Sequence, residues 1–131
     1  MKYFTTKELC KSTTASQKGI DNSPNSEIIQ NLEQLVSHIL DPLREKYGKP
    51  IMVNGAYRCL ELNKAVGGSK NSQHMLGLAA DITVGSPEKN KRLFQLIIDM
   101  GLPYDQLIDE KNFRWIHVSY SSKPRKQILH L

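Results

Sequence analysis

Residues 72–84, which read SQHMLGLAADITV, decide the fold class of this 131-residue chain. The apolar run that follows the glycine predicts a β-strand over 78–84. Strand alternation places Ala80 and Ile82 on one face, which we assign to the core, and Asp81 on the other face. A carboxylate is costly to bury without a partner. The alternation therefore directs Asp81 towards a site or towards solvent.

A β-hairpin is predicted further along the chain. Residues 105–110 and 114–120 are alternating stretches that flank a short turn at Lys-Asn-Phe, which is typical of two antiparallel strands. In the second strand, RWIHVSY, His117 shares one face with Trp115 and Ser119. The hairpin thus contributes a histidine on a half-polar strand face.

The remaining elements follow from helical spacing of apolar residues, capping residues and prolines. The predicted helices are a short one after Thr5, a long one from Asn25 or Ser26 that Pro42 kinks or splits near Asp41, one or two turns over 59–66, and one from Pro87 to Gly101. The other predicted segments are loops over 12–25 and 69–77, a short strand at 51–53, and a polar, basic tail over 122–131. This order predicts one α+β domain over 1–131, with a small antiparallel sheet packed with helices.

The net charge of +5 arises entirely at the C-terminal end of the chain, because residues 111–131 contain five basic residues and no acidic one. Such a segment suits an anionic partner. It lacks the interleaved aromatic residues that stack on bases, so a solvated end is preferred to a nucleic-acid site. No run of 18 apolar residues is present to span a membrane. We expect a monomer with no nucleic-acid or membrane partner.

Two of the four histidines stand out with Asp81. His74 and His117, together with that aspartate, would fill three corners of a tetrahedral zinc site and leave the fourth for water. Taken singly, residues of these types are more often structural, and their spacing is not that of a local zinc finger. His38, within the long helix, and His130, next to the C-terminus, are interpreted as ordinary helix and tail residues.

Two stretches together resemble a known family. NGAYRCLELNKAVGGSKNSQHMLGLAADI at 54–82 and YDQLIDEKNFRWIHVSY at 104–120 are similar to the zinc D-Ala-D-Ala carboxypeptidase-like peptidases, most of all to the small branch that includes bacteriophage endolysins. The resemblance covers about residues 24–121, and the pairing of SxHxxGxAxD with WxHVS is specific. It implies the fold shared with the hedgehog signalling domain.

The same resemblance implies a function. It implies a zinc-dependent peptidase that hydrolyses peptidoglycan stem or bridge peptides, as a carboxypeptidase or as an endolysin-type endopeptidase. A non-catalytic zinc-containing module of the same fold, which binds cell wall or another protein, is the alternative. With no apolar segment behind the N-terminal lysine, we expect the protein to stay in the cytoplasm until it is released to the cell wall, or its leader to have been removed.

The resemblance implies Zn²⁺ ligands at His74, Asp81 and His117. It implies that Arg58, in the YR dipeptide, binds substrate and stabilises the developing oxyanion, a task that suits a planar, permanently charged guanidinium. Gly77 would let the backbone pass close to the metal. The residues expected to position His74 or to line the substrate cleft are Arg58, Ser72, Gln73, Trp115, Ser119 and Tyr120.

The general base is expected just before the hairpin turn, where two acids are adjacent. A two- or four-residue turn pairs Glu110 with Trp115 and places Glu110 on the metal face, whereas a three-residue turn places Asp109 there. The resemblance favours Glu110, because QLIDE matches the family's strand ending in Glu. Asp105 is expected to orient a ligand or to close a turn, and the alternative is a residue at the start of the strand that forms a salt bridge.

Overall fold

The structure is a computed structural model, and it describes all 131 residues. Its α-helices are α1 (Thr6–Leu9), α2 (Thr13–Lys18), α3 (Ser26–Leu35), α4 (Asp41–Tyr47), α5 (Leu60–Ala65) and α6 (Pro87–Asp99). A π-helical segment (Val36–Leu40) joins α3 to α4, and a 3-10 helix (Gln73–Leu76) precedes the second strand. The strands are β1 (Met52–Gly55), β2 (Ala79–Thr83), β3 (Tyr104–Glu110), β4 (Trp115–Tyr120) and β5 (Gln127–His130).

The five strands form one sheet in the order β1-β2-β4-β3-β5. Neighbouring strands are antiparallel except for β5, which runs parallel to β3. The predicted α+β class is confirmed, but the expectation of an antiparallel sheet is wrong at this edge. The expected polar tail over 122–131 is also wrong, because Gln127–His130 is a strand and Leu131 N–H donates to the Asp109 carbonyl at 2.9 Å. Without β5, the backbone groups of β3 would form an unpaired edge.

Helices α3, α4 and α6 cover one face of the sheet, and the site lies on the other face. Residues of the helix-covered face belong to the same buried cluster as the apolar side of α3, α4 and α6, and this cluster includes Leu32, Leu35, Ile39, Leu43, Ile82, Ile97, Ile116 and Val118. The assignment of Ala80 and Ile82 to the core is confirmed. None of the helices is both long enough and apolar enough to cross a membrane.

Pro42 alters the long helix, as its lack of an N–H requires. The expected kink near Asp41 takes the form of a π-helical turn directly before it, in which Asp41 N–H donates to the Val36 carbonyl. A wider turn of this kind absorbs an interruption of the α-helical ladder without ending the helical path. The path continues to Gly48, whose left-handed backbone caps α4.

Two segments predicted as loops contain short helices. In 12–25, Ser12 Oγ accepts a hydrogen bond from Ala15 N–H at 3.2 Å and Gly19 closes α2 in the left-handed conformation. In 69–77, Ser72 and Gly77 cap the 3-10 helix in the same way. Both helices are too short for hydrophobic periodicity to reveal them, and their caps are the signals that could have done so.

Candidate metal centre and cleft

The three predicted ligands meet on the face of the sheet opposite to α3, α4 and α6. Asp81 in β2 lies directly opposite His117 in β4 in the antiparallel register. His74 comes from the 3-10 helix before β2, where its N–H donates to Ser72 Oγ at 3.2 Å. The sequence alternation therefore fixes two of the ligands, and a short capped helix supplies the third.

The spacing of these ligand atoms fits a tetrahedral metal. His74 Nε2 lies 3.4 Å and His117 Nδ1 lies 3.2 Å from the same atom, Asp81 Oδ1, and all three groups offer atoms within 4.8 Å of one another. Zinc bonds of about 2.1 Å in a tetrahedral arrangement put neighbouring ligand atoms about 3.4 Å apart. The donor set and its spacing thus suit Zn²⁺ with little rearrangement.

Hydrogen bonds and burial prepare the ligands for a cation. His74 Nδ1 donates to the Ala56 carbonyl at 2.7 Å, which orients the ring so that Nε2 faces Asp81 and the site. Burial opposes ionisation of Asp81, but its hydrogen bonds with His117 and His74 outweigh this and hold the Asp81 pKa below its usual range. Asp81 is therefore a carboxylate at neutral pH.

Arg58 lies beside the ligand group, in the turn after β1. Its backbone N–H donates to the His74 carbonyl at 3.0 Å, and its Nη2 donates to Ser72 Oγ at 3.3 Å. Burial lowers the pKa of Arg58, while the negative charges of Asp81 and Glu110 act in the opposite direction. Its Nε is buried without a partner in the protein. Arg58 thus has a free donor beside the ligand group.

The strand register shows which of the two adjacent acids faces the ligand group. Glu110 lies opposite Trp115, and the turn between them has four residues. This places Glu110 on the metal face, where Trp115 Nε1 donates to Glu110 Oε2 at 3.1 Å. Asp109 points to the other face, is buried, and contacts His130 Nδ1. His130 is the last residue of β5 and does not belong to a tail.

The hairpin turn is held by a residue that sequence reasoning missed. Lys111, Asn112 and Phe113 all have positive φ, which is unusual for residues other than glycine. Asn90 of α6 is fully buried and donates from Nδ2 to the carbonyls of Phe113 and Arg114, at 2.8 and 3.1 Å. Its position on the apolar side of the predicted helix, three and four residues before Leu93 and Phe94, was the available signal.

A second missed group lies at the far end of the cleft. Asp105 is buried and accepts from Arg125 Nη2 at 2.7 Å and from Gln73 Nε2 at 2.9 Å. The hydrogen bonds from Arg125 lower the Asp105 pKa to about 2, and they raise the pKa of Arg125. Gln73 therefore bonds to Asp105 and makes no bond to the His74 ring. Asp105 therefore forms a salt bridge, which was the alternative interpretation, and Arg125 is the partner that sequence reasoning did not identify.

Two cavities meet at the ligand group. One has a volume of about 250 Å³ and extends towards Lys11 and Ser12, and the other has about 600 Å³ and extends towards Gln106 and Arg125. The residues that line both are Arg58, Val66, His74 and Asp81. The predicted cleft residues Ser72, Gln73, Glu110 and Trp115 line the larger cavity. The cleft therefore continues on both sides of the ligands.

Three expectations differ from the structure. Tyr120 lies on the opposite face of β4 and stacks on His38, with ring centroids 4.6 Å apart, so it does not line this cleft. Ser119 is fully buried, and its Oγ accepts from Gln106 N–H at 2.9 Å, which leaves no surface for a substrate. Gly77 approaches α3 rather than the metal, since a Cβ there would lie 3.1 Å from the Ile28 carbonyl oxygen.

Comparisons with known proteins agree with this site. A 48-residue part of the chain is 50% identical to the zinc D-Ala-D-Ala carboxypeptidase of Streptomyces albus G, and the match covers 36% of this chain. The chain spans about a fifth of the length of that relative, since the match covers 19% of it. The family model described as Peptidase M15 matches residues 2–119, which is most of the chain. This chain belongs to the Peptidase M15 family.

Proposed function

We propose that this protein is a zinc-dependent peptidase that hydrolyses peptide bonds of peptidoglycan. The observation that carries the proposal is the ligand group: nitrogens of His74 and His117 lie 3.4 and 3.2 Å from one oxygen of Asp81, and Glu110 and Arg58 line the same cavity. The name of the Streptomyces relative, a zinc D-Ala-D-Ala carboxypeptidase, supports both the metal and the substrate class. The combination of a metal, an acid and a cation is what amide hydrolysis requires.

His74, Asp81 and His117 would hold the metal. When bound, Zn²⁺ polarises a carbonyl group and lowers the pKa of water to about 7. Glu110 accepts the proton of the attacking water and returns it to the leaving amine. Trp115 Nε1 holds the Glu110 carboxylate in place through its hydrogen bond of 3.1 Å. Arg58, which lines the same cavity, offers its guanidinium to the substrate oxygen that becomes negative.

The shape of the cleft favours cleavage within a peptide over removal of its last residue. A carboxypeptidase needs its cleft closed beyond the scissile bond, where the terminal carboxylate binds. Here the cavities of about 250 and 600 Å³ extend in both directions from the ligand group. We therefore propose endopeptidase action, of the kind that endolysins perform on cell walls.

Digestion of purified peptidoglycan by the zinc-loaded protein tests this function. We expect mass spectrometry to show new amino termini with Zn²⁺, none after a chelator, and recovery when Zn²⁺ is added back. Fragments that keep their terminal D-Ala indicate endopeptidase action, whereas release of free D-Ala indicates a carboxypeptidase.

The same digestion separates catalysis from binding. A folded, zinc-loaded protein that leaves every peptide intact would contradict the proposed hydrolysis. If that protein still sediments with cell wall, the non-catalytic module of the same fold becomes the better description.

A further inference from the structure

The segment between β4 and β5 brings a cation into the cleft. Residues 121–126 connect β4 to a strand that pairs on the far side of β3, so the connection passes the beginning of β3, where Asp105 lies. Arg125 of this segment lines the same cavity as His117 and Arg58. Arg125 is two residues before β5, which pairs with β3.

The guanidinium is fixed on one edge and free on the other. Asp105 accepts from the backbone N–H of Arg125 at 2.9 Å, from Nε at 3.1 Å and from Nη2 at 2.7 Å. Asp105 is itself held by Gln73 Nε2. A guanidinium has five N–H donors, and Nη1 has no acceptor in the protein. The side chain of Arg125 is 58% exposed, so these free donors are open to a ligand.

An acceptor without a partner lies on the same wall. Gln73 Oε1 is buried in the cavity lining and receives no hydrogen bond within the protein. A buried polar group that lacks a partner is costly unless a ligand or water satisfies it. The wall therefore presents an unpaired acceptor near unpaired guanidinium donors. A peptide N–H next to a carboxylate has the complementary pair of groups.

We propose that Arg125, oriented by Asp105, is a specificity-determining residue that binds a free carboxylate of the substrate peptide. This proposal rests on the proposed function and names the substrate class of the same cleft. The Asp105 carboxylate offsets the charge of Arg125, so recognition depends on the directed N–H bonds of the planar group more than on net attraction. Two carboxylates of a stem peptide fit this chemistry: the terminal one, and the free α-carboxylate of its γ-linked D-Glu.

Calorimetric titration tests the proposal without requiring turnover. The probes are the pentapeptide L-Ala-γ-D-Glu-L-Lys-D-Ala-D-Ala, its C-terminal amide, and the form with D-isoglutamine in place of D-Glu. They are titrated into the full chain loaded with Zn²⁺ and carrying Glu110→Gln to slow hydrolysis. We expect one amide form to bind about tenfold more weakly than the acid, the effect of losing a hydrogen bond to a charged group. The weaker amide identifies which carboxylate is bound.

Adding Arg125→Gln is expected to abolish this preference, and Arg125→Lys to reduce it, since lysine retains a charge for Asp105 but has no planar fork. Lys123→Gln, which removes the same charge from an exposed residue of the same segment, is expected to preserve it. A tenfold preference that survives Arg125→Gln, or equal binding of all three peptides by the background protein, would overturn the proposal. Reversible partial unfolding would raise the apparent Kd of all three peptides by the same factor, so the ratio of their Kd values, which is the preference, stays measurable.

Turnover of the same peptides by the wild-type protein is a separate readout. A carboxylate preference that depends on Arg125 without any hydrolysis would support the subsite and contradict the proposed function. Hydrolysis without such a preference would support the proposed function and contradict the carboxylate subsite at Arg125.

Discussion

The ligand-bearing strands and the C-terminal segment form opposite ends of one cleft, but they reach their positions differently. Asp81 and His117 face each other because both strands alternate and pair in register. Arg125 lies just before Gln127–His130, which pairs with a strand 21 residues earlier, and local sequence does not reveal this pairing. Each ligand's face can therefore be read from the alternation of its own strand, although the two residues are 36 positions apart. The wall expected to select the substrate depends instead on a strand pairing that no local pattern indicates.

Loss of a proposed metal ligand should have the largest effect. We expect His74→Ala to lose both bound Zn²⁺ and peptidase activity, because two ligands remain and the Ala56 carbonyl loses its partner. Elemental analysis of the purified protein gives the zinc content. The matched control is His38→Ala, since His38 is exposed and stacks on Tyr120 outside the cleft. A His74→Ala protein that retains one zinc per chain would show that His74 is not a ligand of the metal.

Separate substitution of the two adjacent acids should show which of them takes part in catalysis. Glu110→Gln is expected to lower kcat by about 10²- to 10⁴-fold while zinc remains bound, because the proton acceptor is lost. Asp109→Asn should change kcat of the folded enzyme by less than about threefold, because Asp109 faces away from the metal and contacts His130. Steady-state kinetics with parallel zinc analysis measures both. The reverse result would make Asp109 the base.

Sequence patterns predicted the parts of the site that lie on regular strands. The alternation in β2 and β4 placed Asp81 and His117 on one face, as observed. The choice between Glu110 and Asp109 remained open until the structure showed a four-residue turn, since one residue of slip exchanges the two faces. The turn contains three residues with positive φ but no glycine, so the usual sequence signal for such a turn is missing. Its support from Asn90 is a tertiary contact.

The C-terminal strand was missed for a different reason. QILH has only four residues, and the basic residues before it are typical of a solvated end. Its partner β3 is parallel and separated from it by β4 in the chain, so no hairpin signal exists. Such a strand becomes visible only when the unpaired edge of β3 is considered.

Proline substitutions in β5 should show how firmly this strand holds the cleft wall. Leu131 N–H bonds to β3, and a parallel strand bonds its neighbour through alternate residues, so Leu129 N–H should also face β3 and Ile128 N–H should face outward. Leu129→Pro is expected to destabilise the protein by about 1–3 kcal/mol. The control Ile128→Pro should cost less, because an edge strand tolerates proline where its N–H faces solvent. Urea unfolding measures both, and no effect of either would mean that 127–131 behaves as a free tail.

The smallest expected effect is the loss at acid pH of the stability that Asp105 contributes through its bonds in the cleft wall. Its pKa of about 2 lies below the ordinary value of about 4, so the bonds to Arg125 and Gln73 stabilise the fold fully above pH 4. That stabilisation is lost as the pH falls from about 4 towards 2, when the carboxylate takes up a proton.

We therefore expect Asp105→Asn to be less stable than wild type at pH 5.5, and the difference to shrink at pH 3, as urea midpoints would show. All other carboxylates are common to both proteins and cancel in this comparison. Asp99→Asn, at an exposed residue at the end of α6, should leave the pH dependence unchanged. A gap between wild type and Asp105→Asn that stays constant from pH 5.5 to 3 would mean that the Asp105 carboxylate is not what holds Arg125. The cleft wall would then owe its order to β5 alone.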